Sequence, residues 1–503
     1  MGVPSREFLL LINDTKEGQK EKFIDLNFDM MKKNKLSECT TIIVGKDQTT
    51  DGALVCARSE DFDCLQAKNL ELYEDTDNGP EEFVARDSSF RCKLPKVHLG
   101  YSAMPDYSLP GHWGSAGFNT AGVGMSATET IFSSDEALAF DPYVESGVAE
   151  NSAFNITLPY IHTAREGVER LGQLIEEHGS AEGFGISFVD QDEIWYLENA
   201  CGHRWLACRI PNDKYFVSGN QSRFRDYDPK DKANYFASND LIEFAEKNGL
   251  YDPKQGKFDF HEAYSRDEEQ DTTYNYPRVW ALQKIFSPKL ESDVTKNTFP
   301  VYAQPEHKIS LSDLRKAFRF HYDGTSHDPY MHNNGKEPWR PISIFRTCQT
   351  HIITVRPWLP QAIGCCTYMA MGMADLSVFL PYYQGATAYP KSYQTGNGQS
   401  SNDNAYWKFR HVQALGMVNY NKYAPIIKER WLRFEGECDQ RQYEFEMDYM
   451  HIYQDQPLKA QDLLQQFQTN ILESALGVAD ELTERLFTEI CKDTQAEYLF
   501  HGA

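Results

Sequence analysis

The run Cys39-Thr40-Thr41-Ile42-Ile43-Val44-Gly45 constrains the chain more than any other stretch. It is β-branched and uncharged, the pattern of a strand covered on both faces. The change at its start is abrupt. Residues 16–35 are rich in Lys and Glu with scattered Phe, Ile and Leu, which reads as a weak helix, and Leu36-Ser37-Glu38 ends it. Beyond the strand, Asp51-Gly52 is a hairpin signal, and Ala53-Leu54-Val55-Cys56-Ala57-Arg58 reads as the returning strand.

The alternation of strand, turn and strand continues. Gly117 to Ile131 holds a turn at Asn119 and Gly122 followed by a strand over Val123–Thr128. Short strands are expected at Ile186–Val189, Ile194–Leu197, Trp205–Arg209, Tyr215–Val217, Ile342–Phe345 and His351–Val355. Between them, Val168, Leu171, Leu174 and Ile175 fall at helical spacing, which predicts an amphipathic helix over Ala164–His178 closed by Gly179. From Ala405 onward the reading is helical, and Leu458–Cys491 has apolar residues at three- and four-residue steps. The polar stretch Gln394–Asn404 reads as a surface loop. Strands first, then a helix pair, more strands and terminal helices together predict an α+β architecture of antiparallel sheets packed between helices. The expected divisions are an N-terminal extension at 1–38, a catalytic core at 39–404 and a helical region at 405–503 packed on it.

The chain has 503 residues, of which 41% are apolar and 13% aromatic, enough for a substantial core and too many for a disordered protein. Its formal charge of −24 repels phosphate backbones and argues against a nucleic-acid partner. No stretch approaches the roughly 18 apolar residues of a membrane span. The run Phe8–Ile12 is shorter than the apolar region of about 7–15 residues in a secretory signal, so a cytoplasmic protein without a membrane partner is expected. The 11 cysteines include no C-x-x-C pair, and the pairs Cys201/Cys208 and Cys365/Cys366 read as reduced, buried thiols.

Most catalytic patterns can be set aside. There is no H-E-x-x-H, and His261 and His351 have no partner at ligand spacing, so neither a metal nor a cofactor is expected. Gly124-Met125-Ser126-Ala127-Thr128 lacks the final glycine of a nucleophile elbow, so Ser126 reads as a strand serine. Cys39 is different. If the Glu38–Cys39 bond is cut, this residue carries both a thiol and a free α-amine of pKa near 8. That amine can take the thiol proton, so no histidine is needed. A buried structural cysteine is the alternative.

Several blocks together resemble the N-terminal-nucleophile cysteine dipeptidases of the lactobacillal dipeptidase A type. They are Cys39 to Lys46, Asp51-Gly52, Ala57-Arg58-Ser59-Glu60-Asp61, Gly122 to Thr130, Trp195-Tyr196-Leu197-Glu198 and Val217-Ser218-Gly219-Asn220-Gln221. Arg278-Val279-Trp280, Phe345 to His351 and Ala370-Met371-Gly372 complete the series. The resemblance extends to the wider group of penicillin V acylase and bile salt hydrolases, and it implies their four-layer αββα sandwich. It implies Cys39 as nucleophile and Arg58 and Asp61 as its companions on the second strand. It also implies Asn220 in the oxyanion hole and Arg278 as a later arginine of the site. A second oxyanion asparagine has no clear counterpart, and Glu129 falls near its place. In this reading Arg58 favours the thiolate, Asp61 accepts from the α-amine, and Asn220 donates an amide N–H to the developing oxyanion.

The resemblance implies a dipeptidase working through an acyl-enzyme on Cys39, with dipeptides as its partners and the oligomeric state, including a homo-oligomer, left open. An acylase of non-peptide amides with the same residues is a second reading. A non-catalytic interaction protein is a third, since the similar secernins are associated with secretion. A propeptide at 1–38 and translation from Met30 or Met31 both remain open.

Overall fold

The structure is a computed structural model that describes residues 39–108, 110–330 and 339–498. The expected extension at 1–38 and its weak helix lie outside the described residues. Strands β1 (Cys39–Val44) and β2 (Leu54–Asp61) are the first described elements, and Gly52 turns between them at φ +84°. Further strands are β3 (Ala116–Phe118), β4 (Gly124–Thr130), β5 (Phe184–Val189), β6 (Ile194–Ala200), β7 (Arg204–Arg209) and β8 (Tyr215–Ser218). The series ends with β9 (Tyr235–Ala237), β10 (Tyr302–Ala303), β11 (Thr347–Val355), β12 (Cys365–Met371) and β13 (Leu380–Tyr383).

Among the described residues these strands form two antiparallel sheets. The first is seven-stranded in the order β10-β8-β1-β2-β11-β12-β13, and the second is six-stranded in the order β9-β7-β6-β5-β4-β3. The chain thus has mixed helix and sheet content, as expected. Strands β1 and β2 contact β4, and β2 also contacts β5 and β6, so the two sheets meet through the strands that carry the site. Burial from both sides explains the composition of β1. Ile42, Ile43 and Val44 are fully buried, so a continuous apolar run replaces alternation. Each such side chain contributes about 1.5–3 kcal/mol.

Helices follow the same logic. They include α1 (Glu150–Thr157), α2 (Ala164–His178), α3 (Tyr276–Phe286), α4 (Leu311–Arg319), α5 (Ala405–Val418), α6 (Tyr420–Ile452) and α7 (Pro457–Glu497). Thr163 caps α2 by accepting from the Glu166 N–H at 3.1 Å, and Gly179 ends it at φ +75°. The buried stripe of α2, including Val168, Leu171, Gly172 and Ile175, lies on β5, β6 and β7. Gly172 is needed there, because a Cβ would stand 2.1 Å from the Trp205 ring. Helix α3 contacts β8, α5 contacts β12, α7 contacts β13, and α5, α6 and α7 pack on one another.

One strand expectation fails. Ile342–Phe345 is irregular, and β11 begins only at Thr347. Its backbone groups are claimed elsewhere: the Ser343 N–H donates to the Phe320 carbonyl at 3.0 Å, and the Ser343 carbonyl accepts from the Tyr330 hydroxyl at 2.8 Å. Apolar content alone looked like a strand, but these bonds leave no ladder to join.

Candidate active site

The register of the first two strands builds the site. Cys39 lies opposite Glu60 and Thr41 opposite Arg58. Because side chains alternate along a strand, Cys39, Arg58 and Glu60 share one face, with Arg58 diagonal to the cysteine. The guanidinium of Arg58 reaches across that diagonal. Its Nη1 donates to Cys39 Sγ at 3.1 Å and to the Thr128 carbonyl at 2.8 Å, while Nη2 donates to the Ala127 carbonyl at 2.6 Å. The thiol itself donates to the Thr128 carbonyl at 3.3 Å. That carbonyl is available because the β4–β5 register shifts between Ala127 and Glu129, and such a bulge leaves the intervening residue out of the ladder.

Asn220 sits in the left-handed region at φ +67°, a conformation asparagine tolerates better than most residues. Its Oδ1 accepts from the backbone nitrogen of Cys39 at 2.9 Å and from Arg278 Nη1 at 3.0 Å. Its Nδ2 donates to the Thr130 carbonyl at 2.9 Å, which uses one of two amide hydrogens. Glu129 holds the residue in place by accepting from the Asn220 N–H at 2.6 Å, and its other oxygen accepts from the Tyr196 hydroxyl at 2.8 Å. Glu129 therefore acts as an acceptor that orients Asn220, not as a second oxyanion donor.

Arg278 comes from α3 and is fully buried. It donates to the Cys39 carbonyl, to Thr40 Oγ1 at 3.0 Å, and through Nη2 to the Gly219 carbonyl and Asn275 Oδ1, both at 2.7 Å. Burial and the nearby Arg340 push its pKa down to about 9, which leaves it charged at neutral pH.

Asp61 departs from expectation. Three residues beyond Arg58, it falls on the opposite face of β2, away from the thiol. There it pairs with Arg340 and accepts from Thr347 Oγ1 at 2.6 Å and Ser59 Oγ at 3.0 Å. The nitrogen of Cys39 donates to Asn220, and among the described residues no hydrogen bond joins it to Asp61. Thr40 links the two arginines, since its hydroxyl oxygen accepts from both Arg278 and Arg340, the latter at 3.4 Å.

The electrostatics also differ from the simple expectation for Arg58. Burial pushes the Cys39 thiol up to about 12; Arg58 offsets part of this, and the charges of Glu150, Asp61 and Glu129 add to it. With residue 38 attached, the thiol is thus protonated at neutral pH and needs a base. His351, which lacks a partner at metal-ligand spacing in the sequence, is a core side chain. His351 Nε2 pairs with Ser126 Oγ at 2.7 Å, both side chains are buried, and burial followed by the charges of Arg58 and Lys68 holds the imidazole well below its ordinary pKa.

Sequence reasoning brought Cys39, Arg58, Asn220 and Arg278 forward, and the fold places the last three each in hydrogen-bond contact with Cys39. It missed Arg340, which follows Trp339 with no motif around it, and Glu150, which opens α1 with no motif either. Among the described residues no group of three or more His, Cys, Asp or Glu side chains is placed to hold a metal ion, and no helix is long and apolar enough to cross a membrane.

Comparison with known proteins adds an independent line. The profile of peptidase family C69 matches residues 38–433. A probable dipeptidase of Salmonella dublin is 50% identical over 372 residues, covering 73% of this chain and 86% of its own. A probable dipeptidase A of Streptococcus pyogenes serotype M3 (strain SSI-1) is 35% identical, covering 76% of this chain and 84% of its own. Dipeptidase A of Lactobacillus helveticus is 31% identical over 83% of this chain and 90% of its own. A solved conjugated bile acid hydrolase variant from Clostridium perfringens aligns over 69% of this chain and 92% of its own. At 10% identity and a TM-score of 0.25, that likeness is too loose to carry an argument.

Proposed function

The chain belongs to peptidase family C69, and from that membership and the geometry around Cys39 we propose that it is a cysteine dipeptidase acting through its own N-terminal amine. The observation that carries the mechanism is the environment of one residue. The Cys39 thiol, pushed up to about 12 by burial, meets a guanidinium at 3.1 Å, while its nitrogen is held by Asn220 at 2.9 Å. Among its described hydrogen-bond partners there is no side-chain base. Release of residue 38 turns the Cys39 nitrogen into an amine of pKa near 8, the missing proton acceptor.

The amine takes the thiol proton, and Arg58 stabilises the sulfur anion as it attacks the peptide carbonyl. The second amide hydrogen of Asn220 is the donor for the resulting oxyanion. The protonated amine then gives its proton to the leaving nitrogen, and the C-terminal amino acid departs. Water, deprotonated by the same amine, opens the thioester and frees the first amino acid and the thiol. Arg278 holds the Cys39 carbonyl and Asn220 in register, and the Asp61–Arg340 pair supports them from behind the sheet.

The same reading assigns residues 39–404 to a four-layer αββα core, 405–503 to helices packed on it, and 1–38 to a segment removed before catalysis. The cysteines, all free, suit a cytoplasmic setting. Mass spectrometry of purified active protein tests the mechanism. A chain beginning at Cys39, inactivated by thiol alkylation and indifferent to chelators, is expected. Full dipeptide hydrolysis by a chain still carrying residue 38 overturns the mechanism, and turnover of acyl-amides in preference to dipeptides favours the acylase reading.

A further inference from the structure

A dipeptidase must sense the free ammonium of its substrate, which lies one carbon from the carbonyl that the nucleophile attacks. The reacting atoms come within roughly 3–3.5 Å, so the group that reads the ammonium has to stand beside Cys39. Three carboxyl side chains act electrostatically on that thiol, Glu150, Asp61 and Glu129, while Glu60, opposite Cys39 on β2, is already held by Lys68 at 2.8 Å and Gln349 at 2.9 Å. Two of the three are spent. Asp61 is fully buried, faces the other side of the sheet and is saturated by Arg340, Thr347 and Ser59. Glu129 is fully buried, with one oxygen on the Asn220 N–H and the other on Tyr196.

Glu150 alone of the three is part-exposed, at the first residue of α1. It stands directly over the reactive strand. Thr128 and Thr130, two residues apart on β4, both turn their hydroxyls to it, the second donating to Oε1 at 2.8 Å. The carbonyls of those same two threonines accept from Cys39 Sγ and from Asn220 Nδ2. The Glu150 carboxyl is therefore separated from the nucleophile and the oxyanion donor by the thickness of one strand residue. Among the described residues it has no ion-pair partner. Asn151, next on the helix, adds a buried side-chain oxygen that accepts no hydrogen bond.

Building on the dipeptidase reading, we propose that Glu150 is the subsite for the substrate's α-ammonium, and that it makes the enzyme select free dipeptides over N-blocked or des-amino amides. Thr128 and Thr130 fix the carboxyl, and the ammonium supplies the countercharge the fold withholds. The electrostatics agree: burial, followed by the charge of Glu182, pushes the Glu150 carboxyl up to about 8, with only partial relief from the two threonines and Arg58. An acid in that state gains most from a cation delivered by a ligand.

The test compares alanyl-leucine with its des-amino twin, propionyl-leucine, read as a substrate or as a competitive inhibitor, on mature wild type, Glu150→Gln and Glu150→Asp. Wild type is expected to prefer alanyl-leucine. Glu150→Gln should lower kcat/KM on alanyl-leucine by about 100-fold, chiefly through KM, the scale for removing one partner of a desolvated charge pair. Its handling of propionyl-leucine should stay near that of wild type, and Glu150→Asp should recover part of the preference. Both substrates are assayed on one preparation, so partial misfolding cancels in their ratio, and Glu150→Asp supplies the ratio if the Gln variant does not fold. An unchanged preference in either variant, or an equal loss on both substrates, overturns the ammonium subsite while leaving the dipeptidase reading intact. Wild type that fails to cleave alanyl-leucine overturns that reading itself, and the subsite with it.

Discussion

Replacing Arg58 with Met removes a buried charge while keeping a long apolar stem. In the folded chain that charge stands 3.1 Å from Cys39 Sγ. Two unit charges at such a separation, in an effective dielectric of about 20, interact by about 5 kcal/mol. This is the attraction available to the sulfur as it becomes anionic. Some is regained as water enters the vacated space, so about 4 kcal/mol should be lost from the transition state, close to a 1,000-fold fall in kcat/KM. Arg58→Lys keeps the charge, but a single ammonium cannot serve the sulfur and the carbonyls of Ala127 and Thr128 together. Its fall should be intermediate, about 10- to 100-fold. The assay has two parts: steady-state dipeptide hydrolysis, and the pH dependence of iodoacetamide alkylation followed on the Cys39 peptide by mass spectrometry. Alkylation should slow at every pH below the thiol pKa in the Met variant. If Arg58→Met stays within tenfold of wild type with an unchanged alkylation profile, the guanidinium does not stabilise the sulfur anion and the reasoning fails.

Three further outcomes follow from the packing and the charges. Gly172→Ala sets a Cβ 2.1 Å from a Trp205 ring that is itself anchored to Glu176 at 3.0 Å. It should cost about 1–3 kcal/mol in thermal unfolding despite the better helix former, and an unchanged melting temperature would contradict the contact. Asp61→Asn removes the buried carboxylate that Arg340 meets and should lower stability by about 3–5 kcal/mol in denaturant titration; a loss below about 1 kcal/mol would mean the pair is not buried as described. His321 contacts Asp323 at 2.9 Å and Asp328 at 3.0 Å, and although burial works against it, these acids and Asp375 raise its pKa. Its stabilisation is complete below the unfolded value of about 6.5 and disappears as pH rises through the raised folded value, so His321→Asn should flatten that arm of the stability–pH curve. An arm of the same slope in both proteins would assign it to other groups.

Local pattern carried much of the architecture. The β-branched run at Cys39, the turn at Gly52 and the apolar stripe of α2 are each read within one segment, because alternation and helical period depend only on neighbours along the chain. Ile342–Phe345 shows where that ends, since its apolar content matches a strand while its backbone bonds go to Phe320 and Tyr330. Cys39 was legible only as a candidate, a thiol and a prospective amine in one residue, and it was the resemblance to the cysteine dipeptidases that singled it out.

The remainder of the site depends on contacts between residues far apart in sequence. Arg58 and Asp61 share a strand, but an odd spacing sends them to opposite faces, and only the partner on each face tells sulfur support from structural pairing. Arg340 meets Asp61 across 279 residues, and Asn220 meets Cys39 across 181. Nothing within those segments could announce the meetings. The thiol's pKa is decided the same way: the adjacent arginine suggested a lowered value, whereas burial between the two sheets raises it to about 12. Desolvation is a property of the packed whole, summed over every neighbour that displaces water, so a linear pattern can name the ionisable groups while the tertiary structure sets their charge.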